Sequence, residues 1–346
     1  MARSNFYSCD TDLSTKISIA VDAMSGDLGP RVVISALQSF VTFYYDIDLL
    51  LVGDQSQLQK LIAINSPLST RIKIVHAPDV VTMSDDPISA VRQKKSSSMW
   101  AALALLRDGA ADACVSAGNT GALLAMSKYL IKTYPLIERP AICKAMPVED
   151  GLTYLLDLGA NINCTATQLQ QFAVMGSVLA KLMGIELPRV ALLNIGRESQ
   201  KGTELLQLAQ DILRSDNRIY YTGFAEPNSL FSGEQHVIVC DGFHGNIALK
   251  ASEGAASYVS KKITKILQRN ILNKFLSFIA APLFRELSDA LNPSLYNGAT
   301  FLGLQKTVIK SHGGADAKAF LQALAVAREQ VLLQVPDRIA QKLSEH

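Results

Sequence analysis

Residues 113–131 read Ala-Cys-Val-Ser-Ala-Gly-Asn-Thr-Gly-Ala-Leu-Leu-Ala-Met-Ser-Lys-Tyr-Leu-Ile. The short run Ala113–Ser116 leads into the turn Ser116–Gly121, and a helical stretch follows from Ala122 to Ile131. A strand with no wet face, a glycine-bearing turn and a helix form one unit of a sheet covered by helices on both sides. The same grammar recurs outward in both directions. Apolar runs at Ile17–Val21, Leu49–Val52, Ile72–Val75, Ala141–Met146, Leu152–Leu156, Val190–Ile195 and Val237–Cys240 alternate with longer helical patterns. Pro30 and Pro87 suit first helical turns, and Asp86 suits the cap ahead of Pro87. The alternation predicts a doubly wound α/β sheet flanked by helices, an α/β/α sandwich. One connection breaks the rule: Ala141–Met146 and Leu152–Leu156 are joined by a short link ending in Asp150-Gly151, which reads as a hairpin, so the sheet is expected to be mixed.

Composition narrows the function classes. The chain has 346 residues, 49% hydrophobic and 18% charged, enough for a sizeable core. A net charge of +2 gives no global field of the kind that nucleic-acid binding requires, and no nucleic-acid partner is expected. The five cysteines are scattered without CxxC spacing, which argues against disulfides or zinc and for a reducing cytoplasm. The five histidines have no metal-ligand spacing, and GxxxxGK[ST], GxGxxG, HExxH and GxSxG are absent, so neither cofactor nor metal is expected. Residues 1–15 lack an apolar stretch and read as an extension rather than a signal peptide, ahead of a single α/β domain over 16–346.

One segment stands apart. Ser257–Leu291 is helical and basic, with Lys261, Lys262, Lys265, Arg269, Lys274 and Arg285 against Glu286 and Asp289. Its apolar positions recur at spacings of three and four, the mark of an amphipathic helix turning near Pro282 into a second, so that a helical hairpin protrudes. The stretch Phe275–Phe284 is ten residues long, too short to span a bilayer.

Four loops sit at predicted strand ends, where open α/β sheets bind ligands. Asp22–Asp27 is rich in small residues and reads either as a backbone approach to a ligand or as a tight capped turn. Ser116–Gly121 offers two glycines and three short polar side chains at a helix start, suited to an anion; simple capping by Asn119 or Thr120 is the plainer reading. Asn194–Gly202 places Lys201 near a helix start, an electrostatic conflict that a bound anion would relieve, although a solvated lysine is common. Asp241–Asn246 again joins strand to helix, with Asn246 as cap or donor and His244 more simply a structural histidine.

These residues also resemble those of a known family. Asp22-Ala23-Met24, Ser96–Met99, Ser116–Gly121, Asp157–Asn161, Leu193–Gly196, Lys201-Gly202, Cys240–Asn246 with Leu249-Lys250, and Gly298-Ala299 through Ser311-His312-Gly313 resemble the bacterial PlsX phosphate acyltransferases in order and spacing, over roughly Ile17 to Leu332. The resemblance implies a fold akin to phosphotransacetylases and isocitrate dehydrogenases, a homodimer, acyl carrier protein as partner, inorganic phosphate as co-substrate, and acyl phosphate destined for phospholipid synthesis. The chain departs from the family pattern at Leu28, where the family has histidine, at Arg197, where it has an acidic residue, and over Gly223–Pro227.

A thioester is already activated and phosphate is itself a nucleophile, so such an enzyme needs to position both and stabilise an oxyanion. On this reading Lys201 neutralises phosphate or oxyanion charge and Asn246 donates to the thioester oxygen. The substrate-binding set is then Asp22, Ser116, Gly118, Asn119, Thr120, Gly121, Asn161, Asn194 and Gly245. Lys95, Ser97 and Ser98 contact phosphate or carrier protein, or form a solvated helix surface. Segment 257–291 is expected to pack in the dimer and touch anionic membranes, a peripheral cytoplasmic association. Two other readings compete. One is acyl transfer through Cys114 or Cys164; the other is a non-catalytic phosphometabolite-binding regulator.

Overall fold

The computed structural model describes residues 16–62, 70–269, 280 and 296–345. Among them, β1 (Ile17–Asp22), β2 (Ile47–Gly53), β3 (Ile72–His76) and β4 (Ala113–Ser116) pair in parallel in the order β3-β2-β1-β4. The strands β5 (Ala141–Pro147) and β6 (Leu152–Leu156) form the expected antiparallel hairpin. β7 (Arg189–Leu193), β8 (Tyr220–Ala225) and β9 (Val237–Val239) extend it in the order β6-β9-β7-β8, all parallel. The centre is closed by β10 (Ala299–Leu302) and β11 (Thr307–Lys310), giving an 11-stranded sheet ordered β3-β2-β1-β4-β11-β10-β5-β6-β9-β7-β8.

The direction of each half follows from the pairings. β11 runs parallel to β4, β10 is antiparallel to both β11 and β5, and β5 is antiparallel to β6. The half holding β6, β9, β7 and β8 therefore runs opposite to the half holding β1–β4. The loops after β1 and β4 belong to one half-sheet, the loops after β7 and β9 to the other, so the four do not share one edge.

Helices cover both faces: α1 (Pro30–Phe43), α2 (Gln55–Leu61), α3 (Pro87–Gln93), α4 (Ser98–Arg107), α5 (Thr120–Leu130), α6 (Ala166–Leu182), α7 (Glu204–Arg214), α8 (Gly242–Leu267), α9 (Ala317–Leu332) and α10 (Val335–Ser344). Strand alternation sorts side chains between the faces. In β1, Ile19 and Val21 pack with Leu37 and Phe40 of α1 and Phe320 of α9, while Ala20 joins the opposite core. That opposite core spans both halves, joining Leu103 of α4 and Met126 of α5 to Leu155 of β6, Ile238 of β9 and Leu249 of α8. A third core places Phe172 and Met175 of α6 and Ile339 of α10 against Leu156 and Val190. Each fully buried large apolar side chain contributes about 1.5–3 kcal/mol.

Local signals explain the boundaries. Pro30 opens α1, and Asp86 caps α3 by accepting from the Ser89 amide at 2.8 Å, both as expected. Thr165 and Gln168 form a reciprocal capping box on α6. The expected amphipathic helix begins earlier than the sequence pattern suggested, at Gly242. Its described part ends near Leu267, and the turn at Pro282 and the second arm lie outside the described residues.

Candidate active site

The parallel register sets Asp22 of β1 beside Ser116 of β4, and Ser116 beside Lys310 of β11. Three polar side chains thus end three adjacent strands, all buried. Asp22 Oδ2 accepts from Ser116 Oγ at 2.7 Å and from Ser25 Oγ at 2.5 Å. Asp22 Oδ1 is buried without a hydrogen-bond partner among the described residues. Lys310 Nζ donates to the Ala117 carbonyl at 3.2 Å and to the Ser311 carbonyl. Desolvation pulls its ammonium down to about 8, opposed by the charges of Asp27 and Asp22. Gly118 lies two residues after Ser116, and a Cβ there would stand 2.4 Å from the Met99 methyl and 2.9 Å from the Ser25 Cβ, so both side chains would have to shift.

The remaining residues of that region do structural work. Asn119 caps α5 through the Ala122 amide at 3.1 Å, and its Nδ2 donates to the carbonyls of Met83 and Asp85. Thr120 is the first residue of α5 and is exposed, and Gly121 packs against Pro87. Ser97 caps α4, Ser98 is fully buried, and Lys95 lies 5.9 Å from the Trp100 ring centre.

A second group forms where β6 and β9 end. Asp157 is buried, and burial pushes its carboxyl pKa up, countered by N–H donors from Ile142, Ala160 and Asn161 at 2.7–3.1 Å. Asn161 Nδ2 adds a bond to the same carboxylate at 3.0 Å and one to the Pro140 carbonyl at 2.8 Å. Helix α8 starts against this group. Asp241 caps it through the His244 amide, and His244 Nδ1 lies 2.7 Å from Asp241 Oδ2. A Cβ on Gly245 would come within 1.9 Å of the Asp157 carbonyl oxygen, so the helix can seat there only as glycine. Asn246, next in sequence, is exposed beside Gly159.

The loop after β7 is pinned by Asn194, whose Oδ1 accepts from the Ile195 amide at 2.8 Å and whose Nδ2 donates to the Lys201 carbonyl at 3.0 Å. Lys201 precedes the Thr203 cap of α7 by two residues, and its side chain is 48% exposed. The electrostatic conflict read from the sequence is met within the chain: Lys201 Nζ lies 2.8 Å from Glu198, and this hydrogen bond raises the lysine pKa.

Helix α8 links the groups. Glu253 receives Lys250 at 2.9 Å and Lys144 of β5 at 3.1 Å. Burial works to raise the Glu253 pKa, but the two lysines outweigh it and hold the carboxyl below its usual range. Lys250 in turn acts electrostatically on Lys310 and on His312, whose imidazole is lowered first by desolvation and then by this lysine. A cavity of roughly 740 Å³ opens between α8, the end of β5 and the segment Pro227–Phe231.

Sequence reasoning missed Lys310, Lys144 and Glu253, and quoted Asp157 only within the family-like stretch Asp157–Asn161. A signal for Lys310 existed: Val308-Ile309-Lys310 runs into Gly313-Gly314, the same strand-to-glycine grammar as the other loops.

Comparison with known proteins adds an independent line. A family model described as "Fatty acid synthesis protein" matches residues 17–338. The chain is 57% identical over 334 residues to the phosphate acyltransferase of Cellvibrio japonicus, covering 96% of this chain and 100% of the relative. It is 46% identical to that of Teredinibacter turnerae, again covering 96% and 100%. Among solved structures, a phosphotransacetylase from Streptococcus pyogenes superposes with a TM-score of 0.61 at 19% identity, covering 92% of this chain and 94% of that one. A branched-chain phosphotransacylase from Enterococcus faecalis gives 0.56 at 15% identity, covering 91% and 99%. At these identities the two structures establish the shared fold.

Proposed function

The chain belongs to the phosphate acyltransferase family and is an acyltransferase, and from that premise we propose that it moves a fatty acyl group from acyl carrier protein to inorganic phosphate. The single observation that carries the reading is the 57% identity to a phosphate acyltransferase over the whole of that relative. A phosphate oxygen attacks the thioester carbonyl, the carbon–sulfur bond breaks, and the proton of hydrogen phosphate passes to the departing thiolate. The products are acyl phosphate and the free carrier thiol. The acyl carrier protein follows from the family resemblance, as does the use of the product in phospholipid synthesis.

In this reading Lys201 exchanges its Glu198 partner for phosphate. Its half-exposed ammonium, bridged to one surface carboxylate, supports that role, because such a pair holds little energy. Asn246 donates to the thioester oxygen from the second turn of α8, where it stands exposed beside Gly159. Asn161, Asn194 and Gly245 hold the loops that carry these two groups. The Ser116–Gly121 turn is a second anion cradle: Asn119 caps the Ala122 amide, and helix geometry leaves the Thr120 and Gly121 amides without intrahelical acceptors.

Direct attack is favoured over a cysteine intermediate. Cys114 is fully buried, and desolvation followed by the Asp22 charge pushes its thiol up. Cys164 is pushed up to about 12 by desolvation and by Asp157 and Asp241. Neither supplies a thiolate near neutrality.

The proposal extends to assembly. The described part of α8 exposes Tyr258 and Ile266 among Lys261, Lys262 and Lys265, a surface suited to a second copy and to an anionic membrane. No described helix is long and apolar enough to cross a membrane. The deciding experiment incubates the purified protein with acyl carrier protein thioester and titrates free thiol. Release that depends on phosphate is expected, and none at saturating phosphate refutes the activity. Sedimentation and flotation with anionic vesicles test the dimer and the membrane contact separately.

A further inference from the structure

The roughly 740 Å³ cavity along α8 lies within the size range of small-molecule sites. Its wall is largely apolar, with Met146 from β5, Leu230 and Phe231 from the opposite segment, and Leu249, Ala256 and Val259 from the helix. Asn246, Leu249, Glu253 and Ala256 stand three and four residues apart in turn, so they share one helix face. Leu249 is the first of these four that lines the cavity, so Asn246, read as the thioester donor, stands on the same face one turn before the cavity begins. From Asn246 to Val259 the helix rises about 20 Å. The small side chains on this face leave a slot along the helix rather than a flat patch. Two lysines against one glutamate, Lys144 and Lys250 around Glu253, place a net positive charge beside the slot.

We infer that this slot holds the acyl chain of the substrate, with the reacting carbonyl at the Asn246 end and the chain running toward Val259. The assignment rests on the acyl-transfer reading above and specifies where its hydrocarbon goes. A largely apolar cavity lined by α8 from Ala248 to Val259, with the polar start of the helix just beyond it, matches one occupant, an unbranched chain carrying a polar head. The positive triad suits a head that becomes a phosphate ester. Each methylene withdrawn from water into such a slot is worth about fourfold in binding, so the far end of the slot sets chain length.

The test is chain-length discrimination. Ala256→Phe fills the slot midway, and the ratio of kcat/KM for a sixteen-carbon over an eight-carbon acyl donor should fall at least tenfold. Val259→Ala lengthens the slot, and preference for an eighteen-carbon over a sixteen-carbon donor should rise severalfold. An unchanged ratio in folded variants overturns the assignment. So does a change confined to oligomeric state, which would show that a second copy covers the slot. If the wild type releases thiol from no donor, the activity reading fails by itself. Calorimetry with palmitate then decides the cavity alone: at least tenfold weaker binding to Ala256→Phe supports it, and equal binding overturns it.

Discussion

Among the described residues Lys201 has one ion-pair partner, the exposed Glu198, so its loss removes little from the fold. Lys201→Ala should lower turnover by about 10²–10³, as loss of one oxyanion-type donor does, with an unchanged melting temperature. A folded variant that turns over at the wild-type rate removes this lysine from the mechanism. Cys114→Ala should retain most of its activity, and thiol-blocking reagents should leave the wild type active. Trapping of an acyl-enzyme would reverse that conclusion. Glu329 of α9 behaves differently, because burial raises its pKa from 4.5 to about 7 against the charge of Arg328. The folded chain then holds this proton more tightly than the unfolded one, so stability falls as pH rises from about 4.5 to about 7. Glu329→Gln should flatten that part of the melting-temperature profile; a slope identical to wild type contradicts the assignment. Lys310 shows why single residues escape a sequence reading. Its short apolar run into Gly313-Gly314 is a faint local signal, and its meaning comes from β11 inserting beside β4, nearly 200 residues away in sequence.

At the scale of elements, the strands with continuous apolar runs were legible, and so was the β5–β6 hairpin with its Asp150-Gly151 link. Three strands were not. β8 is an edge strand that opens with partly exposed tyrosines and contains Gly223, so it lacks an apolar run. β10 and β11 are four residues each, too short for periodicity to register. The four loops do lie at strand ends, as read, but their grouping depends on strand direction, which no local pattern encodes. The seat of α8 tests one such grouping. Gly245→Ala would set a methyl against the Asp157 carbonyl, and the helix start must shift to relieve it. We expect a loss of about 1–3 kcal/mol, in line with overpacking, together with a fall in activity as Asn246 moves. A variant with wild-type stability and rate would show that the contact is unimportant.

For the molecule as a whole, the centre of the sheet is made from strands near the end of the chain. β11 and β10 lie between β4 and β5, so a chain ending at residue 295 leaves both of those strands with a bare edge. Such edges invite pairing with other chains. The truncated chain should aggregate and show no single cooperative urea transition; a soluble monomer with one sharp transition would refute this dependence. The resemblance to phosphotransacetylases in fold was foreseeable only through the family motifs, since the alternation of strand and helix admits many doubly wound orders.

That arrangement also puts the protein on a clock. A ribosome adds about 5–20 residues per second, so the gap between the emergence of β4 and the arrival of its central partner lasts roughly 10–40 s. Over that interval β4 waits on the ribosome with its inner edge unpaired, and β5 joins it in the same state once it emerges. Chaperone demand during translation, rather than the stability of the finished enzyme, should therefore govern how much of it a cell can accumulate.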